Sequence, residues 1–444
     1  MSKEIVVPGQ RLKVLLICHW FPPSNVIGAV RVGHFAKSLH EAGHDVRVLT
    51  AENSGDRSLP MPLPADRVIY IRARRGGELL GSTLRFPRRS GHVAASGTSP
   101  QQAAPGSAFP SRQWMVALRR HYYALLHIPD PRAPWMRRVT ATGSQLVKHW
   151  RPDIILASAP PNSGLIAARR IARVCGAPWI ADLRDLWADD PYYTDPRWRL
   201  WIDRLVERAI LRSAAGLITV SPIWADTLRH KYEQPVACIL NGFVSEDFPA
   251  LPTGPEPDDV VSILYTGNIY AGYRDPTPLF RAIGLLTPAE RQHVAVHFYG
   301  PSESGAQGVI TAAAAAGVAD RVFLHDRVSY RKSLSLQQSA DVLLLLQWNN
   351  VKDAGNIPAK FFEYLGARRP ILLLGYEHGN LAQMIRERGA GVVANDPSII
   401  AKQLRHWIGQ RSAGIPAVPA VARDGMSRAD QYHKLEQFLA QVIR

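Results

Sequence analysis

Lys360 and Glu363 lie three positions apart in the run Pro358-Ala-Lys-Phe-Phe-Glu-Tyr364-Leu365. Phe361, Phe362, Tyr364 and Leu365 give that run the apolar face of a short helix, so the ammonium and the carboxylate fall one turn apart. A lysine so placed can meet a phosphate, and a glutamate can accept hydrogen bonds from sugar hydroxyls. Pro358 suits the first turn, where its missing N–H costs nothing. The run follows the apolar stretch 341–346 and precedes another at 371–374. A helix opening after a strand's carboxyl end points free N–H groups into the crevice where α/β proteins hold anions. Taken alone, a Lys–Glu pair of this kind is more often a solvated surface pair. It gains weight only from the other groups below.

Asp182, Arg184 and Asp185 stand at the end of an apolar run, 178–182. Two carboxylates and a guanidinium at a strand end sit where an α/β site places its chemistry. Either aspartate is suited to orient a hydroxyl or take its proton. Equally, Arg184 as a buried partner would only fix the loop. A third group is the loop 19–28, which ends at Gly28 before a helical pattern containing Arg31. Gly28 permits close backbone approach to a phosphate or sugar. Gly28, Arg31 and Arg184 are therefore the expected acceptor or phosphate loop. The loop lacks G-x-G-x-x-G, so no dinucleotide site is read from it.

These groups need strands to carry them. Apolar-rich runs at 13–18, 45–50, 68–71, 153–157, 178–182, 216–221 and 236–240 read as parallel strands. Helical patterns separate several of them, which makes βαβ units the default. Residues 250–259 have the Pro-rich composition of a linker. The alternation then restarts at 261–265, 294–299, 322–325, 342–346, 371–374 and 391–394. A final helix over about 426–443 would pack by Tyr432, Leu435, Phe438 and Val442.

The fold expected is therefore α/β, with two Rossmann-like parallel-sheet domains facing across a cleft. The first, acceptor-side domain spans 1–249, the second 250–425, and the last helix packs back toward the first. With 444 residues, the chain is long for one ordinary core.

The net charge of +16 is uneven: residues 67–138 hold thirteen arginines against Glu78 and Asp130. A basic field of this kind attracts phosphates, on lipid, nucleic acid or a nucleotide sugar. A solvated basic insert, at about 75–135, is the plain alternative. Residues 87–112 read as a mobile loop. A basic amphipathic helix at 113–127 carries Trp114, Leu118, Tyr122 and Leu125; such a stripe more often packs on its own domain than on a membrane. No apolar stretch spans a bilayer, and no signal-peptide core opens the sequence. Three scattered cysteines indicate neither a disulfide framework nor a metal site, so a cytoplasmic home is expected. Zinc spacing, RNA-binding aromatics and a helix-turn-helix are all missing, which argues against nucleic acid as partner.

Taken together, Phe21-Pro-Pro…Gly28…Arg31, Gly43-His-Asp-Val-Arg-Val-Leu-Thr50, Val220-Ser-Pro222, Asn241-Gly-Phe243…Phe248, Tyr265-Thr-Gly-Asn268 and Phe361-Phe-Glu363-Tyr resemble the GT-B glycosyltransferases of family 4. Pro129-Asp130…Trp135, with Asp182-Leu-Arg-Asp-Leu-Trp187, resembles a bacterial branch associated with surface polysaccharides.

The resemblance implies metal-independent transfer with retention, from a nucleoside-diphosphate sugar and with no cofactor. The acceptor would be a glycan or a polyprenyl-phosphate-linked glycan, met on the inner face of a membrane if the basic insert docks there. Hexosyl or N-acetylhexosaminyl transfer is the expected reaction. Glu363 matches the second of two family carboxylates, eight positions apart, and is expected on the donor ribose. Position 355, where the first would stand, is Gly. The family's Arg and Lys, six positions apart, correspond to Asn268 and Arg274. Gly267, Asn268, Glu363, Pro358 and Tyr364 are the expected donor-binding set. Arg274 and Lys360 are expected to neutralise the diphosphate, with Asp182 or Asp185 handling the acceptor hydroxyl. A non-catalytic nucleotide-sugar binder, an epimerase and a phosphorylase are the alternatives on the same scaffold.

Overall fold

The computed structural model describes residues 11–53, 55–72, 120–248 and 259–443. The expected mobile loop at 87–112, the basic insert up to residue 119, with it the start of the 113–127 helix, and all but the last linker residue lie outside the described residues. The chain divides into two compact units. One comprises residues 1–220, 224–239 and 432–444; the other comprises 221–223 and 240–431.

The first unit holds a seven-stranded sheet of β1 (Lys13–Cys18), β2 (Asp45–Ala51), β3 (Val68–Ile71), β4 (Ile154–Ala159), β5 (Trp179–Leu183), β6 (Gly216–Thr219) and β7 (Val236–Cys238). Their order is β3-β2-β1-β4-β5-β6-β7 and every pairing is parallel. The apolar runs form these strands because both faces are covered. Val14, Leu15, Leu16 and Ile17 are all fully buried, and each such side chain contributes roughly 1.5–3 kcal/mol. The core joins Val14, Leu16, Phe35, Leu39, Val48 and Leu156 to Leu435, Phe438 and Leu439 of the helix Arg428–Ile443, with Tyr432 and Val442 packed against it. β6 and β7 end two residues earlier than the apolar runs did, at Thr219 and Cys238.

The second unit holds six parallel strands: β8 (Val261–Thr266), β9 (Val294–Tyr299), β10 (Val322–His325), β11 (Val342–Leu346), β12 (Ile371–Leu374) and β13 (Gly391–Val393), in the order β10-β9-β8-β11-β12-β13. Its core centres on Ile263, Phe280, Val296, Phe298, Leu344 and Trp407. In both sheets the winding direction reverses once, between β1 and β4 and between β8 and β11. Ligands of open α/β sheets bind outside the carboxyl ends of the strands at such a reversal. β8 and β11 pair with Val342 opposite Ile263 and Leu343 opposite Leu264. Continuing that register sets Leu346 level with Gly267.

One packing expectation fails. Residues 120–126 are helical, but Tyr122, Tyr123, Leu125 and Leu126 are exposed and only Ala124 is buried among them. The described half of the stripe, Tyr122 and Leu125, is not packed on its own domain; Trp114 and Leu118 lie outside the described residues.

Candidate functional site

The strongest constellation gathers where β8 and β11 end. β8 runs into Gly267, whose φ of +110° only glycine adopts without strain. A Cβ built there would lie 2.5 Å from Lys360 Nζ and 2.9 Å from its Cε. Lys360 rides on the helix Ala359–Ala367, with extended Pro358 as its N-cap. Its ammonium also stands 5.7 Å from the Tyr265 ring centroid. A cation, a bare backbone and a helix N-terminus thus converge at the sheet's reversal, the elements of an anion site.

Glu363 is one turn along the same helix and half-buried. Gln337 Nε2 donates to Glu363 Oε2 at 3.2 Å, to Thr266 Oγ1 at 3.3 Å and to Ser333 Oγ at 3.2 Å. Gln337 is itself fully buried, so it ties the carboxylate to the end of β8. Burial pushes the Glu363 carboxyl above its ordinary value, while Lys360, Gln337 and Arg428 pull it back and Asp247 adds to the rise.

Arg274 is half-buried beside the same strand end. Its NH1 donates to Asn268 O at 3.1 Å and to Tyr265 Oη at 3.3 Å, and its guanidinium lies 4.7 Å from the Tyr270 ring centroid. Arg274 and Lys360 therefore both approach Tyr265. Asn268 turns its side chain away from this pair: its Oδ1 accepts from Ser302 N at 2.7 Å, joining the β8 loop to the N-cap of the helix Glu303–Ala315. Tyr364 departs from expectation. It is fully buried, and its hydroxyl donates to Leu344 O at 3.1 Å. It supports the site from the core and does not line it.

Four residues that the sequence reading missed surround Glu363: Gln337, Tyr330, Asp247 and Arg428. The Tyr330 hydroxyl bonds Asp247, and both groups are pushed upward, chiefly by burial. The available signal was the polar spacing Tyr330, Ser333, Gln337 on one helix, Tyr330–Ser339.

In the first unit, the expected acceptor residues are largely occupied with one another. Asp182 and Arg31 are both buried and ion-paired, with Arg31 NH2 at 2.9 Å from Asp182 Oδ1. Arg31 Nε and Ser158 Oγ complete the carboxylate's partners. Arg31 is thus no phosphate ligand and Asp182 no acceptor base here, because neither reaches solvent. Gly28 also serves differently. A Cβ there would lie 2.3 Å from Arg184 NH1, so the absent side chain leaves room for that guanidinium. Arg184 donates to Ala159 O at 3.1 Å and Pro160 O at 2.6 Å, which fixes the loop after β4. Burial pulls it below its ordinary value, and Asp185 and Asp182 pull it back up. Of the pair, Asp185 alone is exposed. Asp130 accepts from Ser163 N at 2.7 Å and so anchors the helix Ser163–Cys175.

Residues 28–242 match the family described as Glycosyl transferase 4-like domain. No curated protein matches the sequence. Among solved structures, HepE of Anabaena in complex with UDP is similar at a TM-score of 0.60 and 12% identity, covering 97% of this chain and 100% of that one. The lipopolysaccharide outer core galactosyltransferase WaaB gives 0.58 and 12%, covering 96% and 99%. Sucrose-phosphate synthase of Thermosynechococcus elongatus gives 0.62 and 14%, covering 97% and 99%. With its two parallel-sheet units, the chain has the GT-B fold, and its residues 28–242 match the model of a glycosyl transferase 4-like domain.

Proposed function

We propose that the protein is a retaining, metal-independent glycosyltransferase. It would move a hexosyl or N-acetylhexosaminyl group from a nucleoside-diphosphate donor to a hydroxyl of a glycan or polyprenyl-phosphate-linked acceptor, in surface polysaccharide synthesis. The observation that carries this reading is Lys360 Nζ seated against Gly267 at the reversal of the second sheet, with Glu363 one turn away. The UDP complex of the similar HepE supports a nucleotide-sugar donor. Retention, metal independence and the pathway come with the family resemblance.

As the anomeric C–O bond breaks, negative charge grows on the β-phosphate. Lys360, Arg274 and the N–H groups opening the helix at Ala359 are placed to balance it. Glu363, held by Gln337, accepts from the donor ribose. The departing phosphate takes the acceptor proton, and exposed Asp185 orients that hydroxyl, a role Asp182 cannot fill from its ion pair. The basic stretch 67–138 favours an anionic membrane surface as the place where a lipid-linked acceptor is met.

A second reading, a non-catalytic nucleotide-sugar binder, draws on Gly355, which leaves the family's first carboxylate position without a side chain. One experiment separates the two. Purified protein is given a panel of nucleotide sugars with EDTA, and release of nucleoside diphosphate is followed with and without glycan acceptors. Turnover that persists in EDTA supports transfer. Saturable binding with no turnover supports the binder.

A further inference from the structure

The helix Arg197–Leu211 distributes its charge unusually. Its two acids, Asp203 and Glu207, are buried. Asp203 accepts from Arg199 Nε at 2.9 Å and Tyr193 Oη at 2.8 Å. Glu207 accepts from Lys231 Nζ at 2.6 Å, Tyr232 Oη at 2.7 Å and Ala188 N at 2.7 Å. Arg197, Arg204 and Arg208 are exposed on the other side. A solvated helix of this composition would pair such arginines with glutamates one turn away on the same face. Here Trp201, 64% exposed, and Leu205, 50% exposed, stand between them instead. Asp195, also exposed, precedes the helix.

A second apolar group is pinned beside it. Arg199 donates to Ala124 O at 2.5 Å and Pro129 O at 2.6 Å, and Trp198 Nε1 donates to His121 Nδ1 at 2.7 Å. These bonds hold the helical residues 120–126 against the first turn of the helix, and that segment exposes Leu125 and Leu126, each 59%. Large apolar side chains with a tryptophan among them, set between cations and cleared of outward acids, match the interface between an anionic bilayer and water.

From this juxtaposition we infer that the outward face of Arg197–Leu211, with residues 120–126, docks on an anionic phospholipid bilayer. Trp201, Leu205, Leu125 and Leu126 enter the headgroup layer, and the three arginines meet lipid phosphates. A second copy is a poor occupant, because a symmetric contact would set these arginines against each other. Nucleic acid gives the three leucines nothing to bury against. The choice of lipid rests on the membrane reading proposed above; the surface itself does not depend on glycosyl transfer.

The test is flotation of the full chain with vesicles of phosphatidylcholine alone or with added phosphatidylglycerol. Wild type is expected to float only with phosphatidylglycerol and to be released by high salt. Arg197→Glu/Arg204→Glu/Arg208→Glu is expected to weaken binding at least about tenfold. Trp201→Ser is expected to weaken it several-fold at an unchanged melting temperature, and it keeps the test open should the triple variant misfold. Flotation of all variants like wild type, or of none, overturns the proposal. So does a wild-type dimer by light scattering that Trp201→Ser dissociates, or retention on RNA that the same change abolishes while flotation stays. Nucleotide-sugar binding, measured alongside, reports separately on the proposed function: its absence with flotation intact would sink transfer and leave docking standing.

Discussion

The ammonium of Lys360 fills the space in which a side chain at Gly267 would begin, 2.5 Å from the position of its Cβ. Gly267→Ala meets two obstacles there. The lysine tip can swing aside, but the backbone at φ +110° cannot relax without moving the end of β8. The expected outcome is a loss of at least about 1 kcal/mol in urea denaturation, together with weakened donor binding. Unchanged stability and unchanged donor thermal shift would show that the crowding is harmless.

Lys360→Met removes the cation placed on the diphosphate and leaves a side chain of similar length. A fall in kcat of about 10²–10³-fold is expected, with melting temperature within a degree or two of wild type. Arg274→Ala should cost activity and some stability together, because Arg274 also holds Asn268 O and Tyr265 Oη. Steady-state kinetics beside calorimetry distinguishes the two patterns.

Glu363 supplies a pH dependence whose sign follows from its surroundings. Burial raises its carboxyl, and Lys360 and Gln337 offset part of the rise. Gln337→Leu removes one offset, so protonation sets in at higher pH. Donor affinity, if it needs the carboxylate, should then fail at a higher pH on the acid side than in wild type. Donor titrations from acid to neutral pH check this; an acid limb that stays in place, or moves down, contradicts the role assigned to Gln337.

The Arg31–Asp182 pair separates architecture from chemistry. Asp182→Asn or Arg31→Leu strands one buried charge and should destabilise by about 3–5 kcal/mol, whereas Arg31→Met/Asp182→Leu should recover much of that loss. Denaturation midpoints decide it. If Asp182→Asn lowered activity several hundred-fold at full stability, the carboxylate would be chemical after all.

His19 is held neutral by burial, with Arg132 adding to the effect, and its value falls from 6.5 to about 3. Below pH 6.5 the unfolded chain binds a proton that the folded chain refuses. Stability from this group is therefore full above pH 6.5 and declines as pH falls toward 3, by up to about 1.4 kcal/mol for each unit. His19→Phe should flatten the stability–pH curve within that window by about one proton. A parallel curve for the variant would locate the acid sensitivity elsewhere.

What the sequence disclosed and what it withheld divide on physical grounds. The strands were legible because most are apolar-rich runs bounded by polar turns, as at 13–18 and 294–299, where the observed bounds coincide with the expected ones. Lys360 and Glu363 were legible because helical spacing relates them locally. The links made through space were not. Arg31 and Asp182 are 151 positions apart, and Gln337 reaches Glu363 across 26. No local pattern distinguishes a guanidinium that binds phosphate from one buried on a carboxylate, which is why Arg31 changed roles, while Arg184 took the second of the two readings open to it, fixing a loop. Tyr364 was misplaced for a related reason: a tyrosine beside a functional glutamate looks the same whether its hydroxyl faces ligand or Leu344 O.

The helix Arg428–Ile443 packs so closely on β6 that a Cβ on Gly216 would lie 2.8 Å from Phe438. Leu435, Phe438 and Leu439 close a core that begins at Leu12. On the ribosome, the first unit must therefore wait, with that groove uncovered, while the whole of the second is translated. An intermediate with exposed Val14-side leucines and isoleucines is the kind of species that chaperones hold. Truncating the last helix would recreate that waiting state permanently.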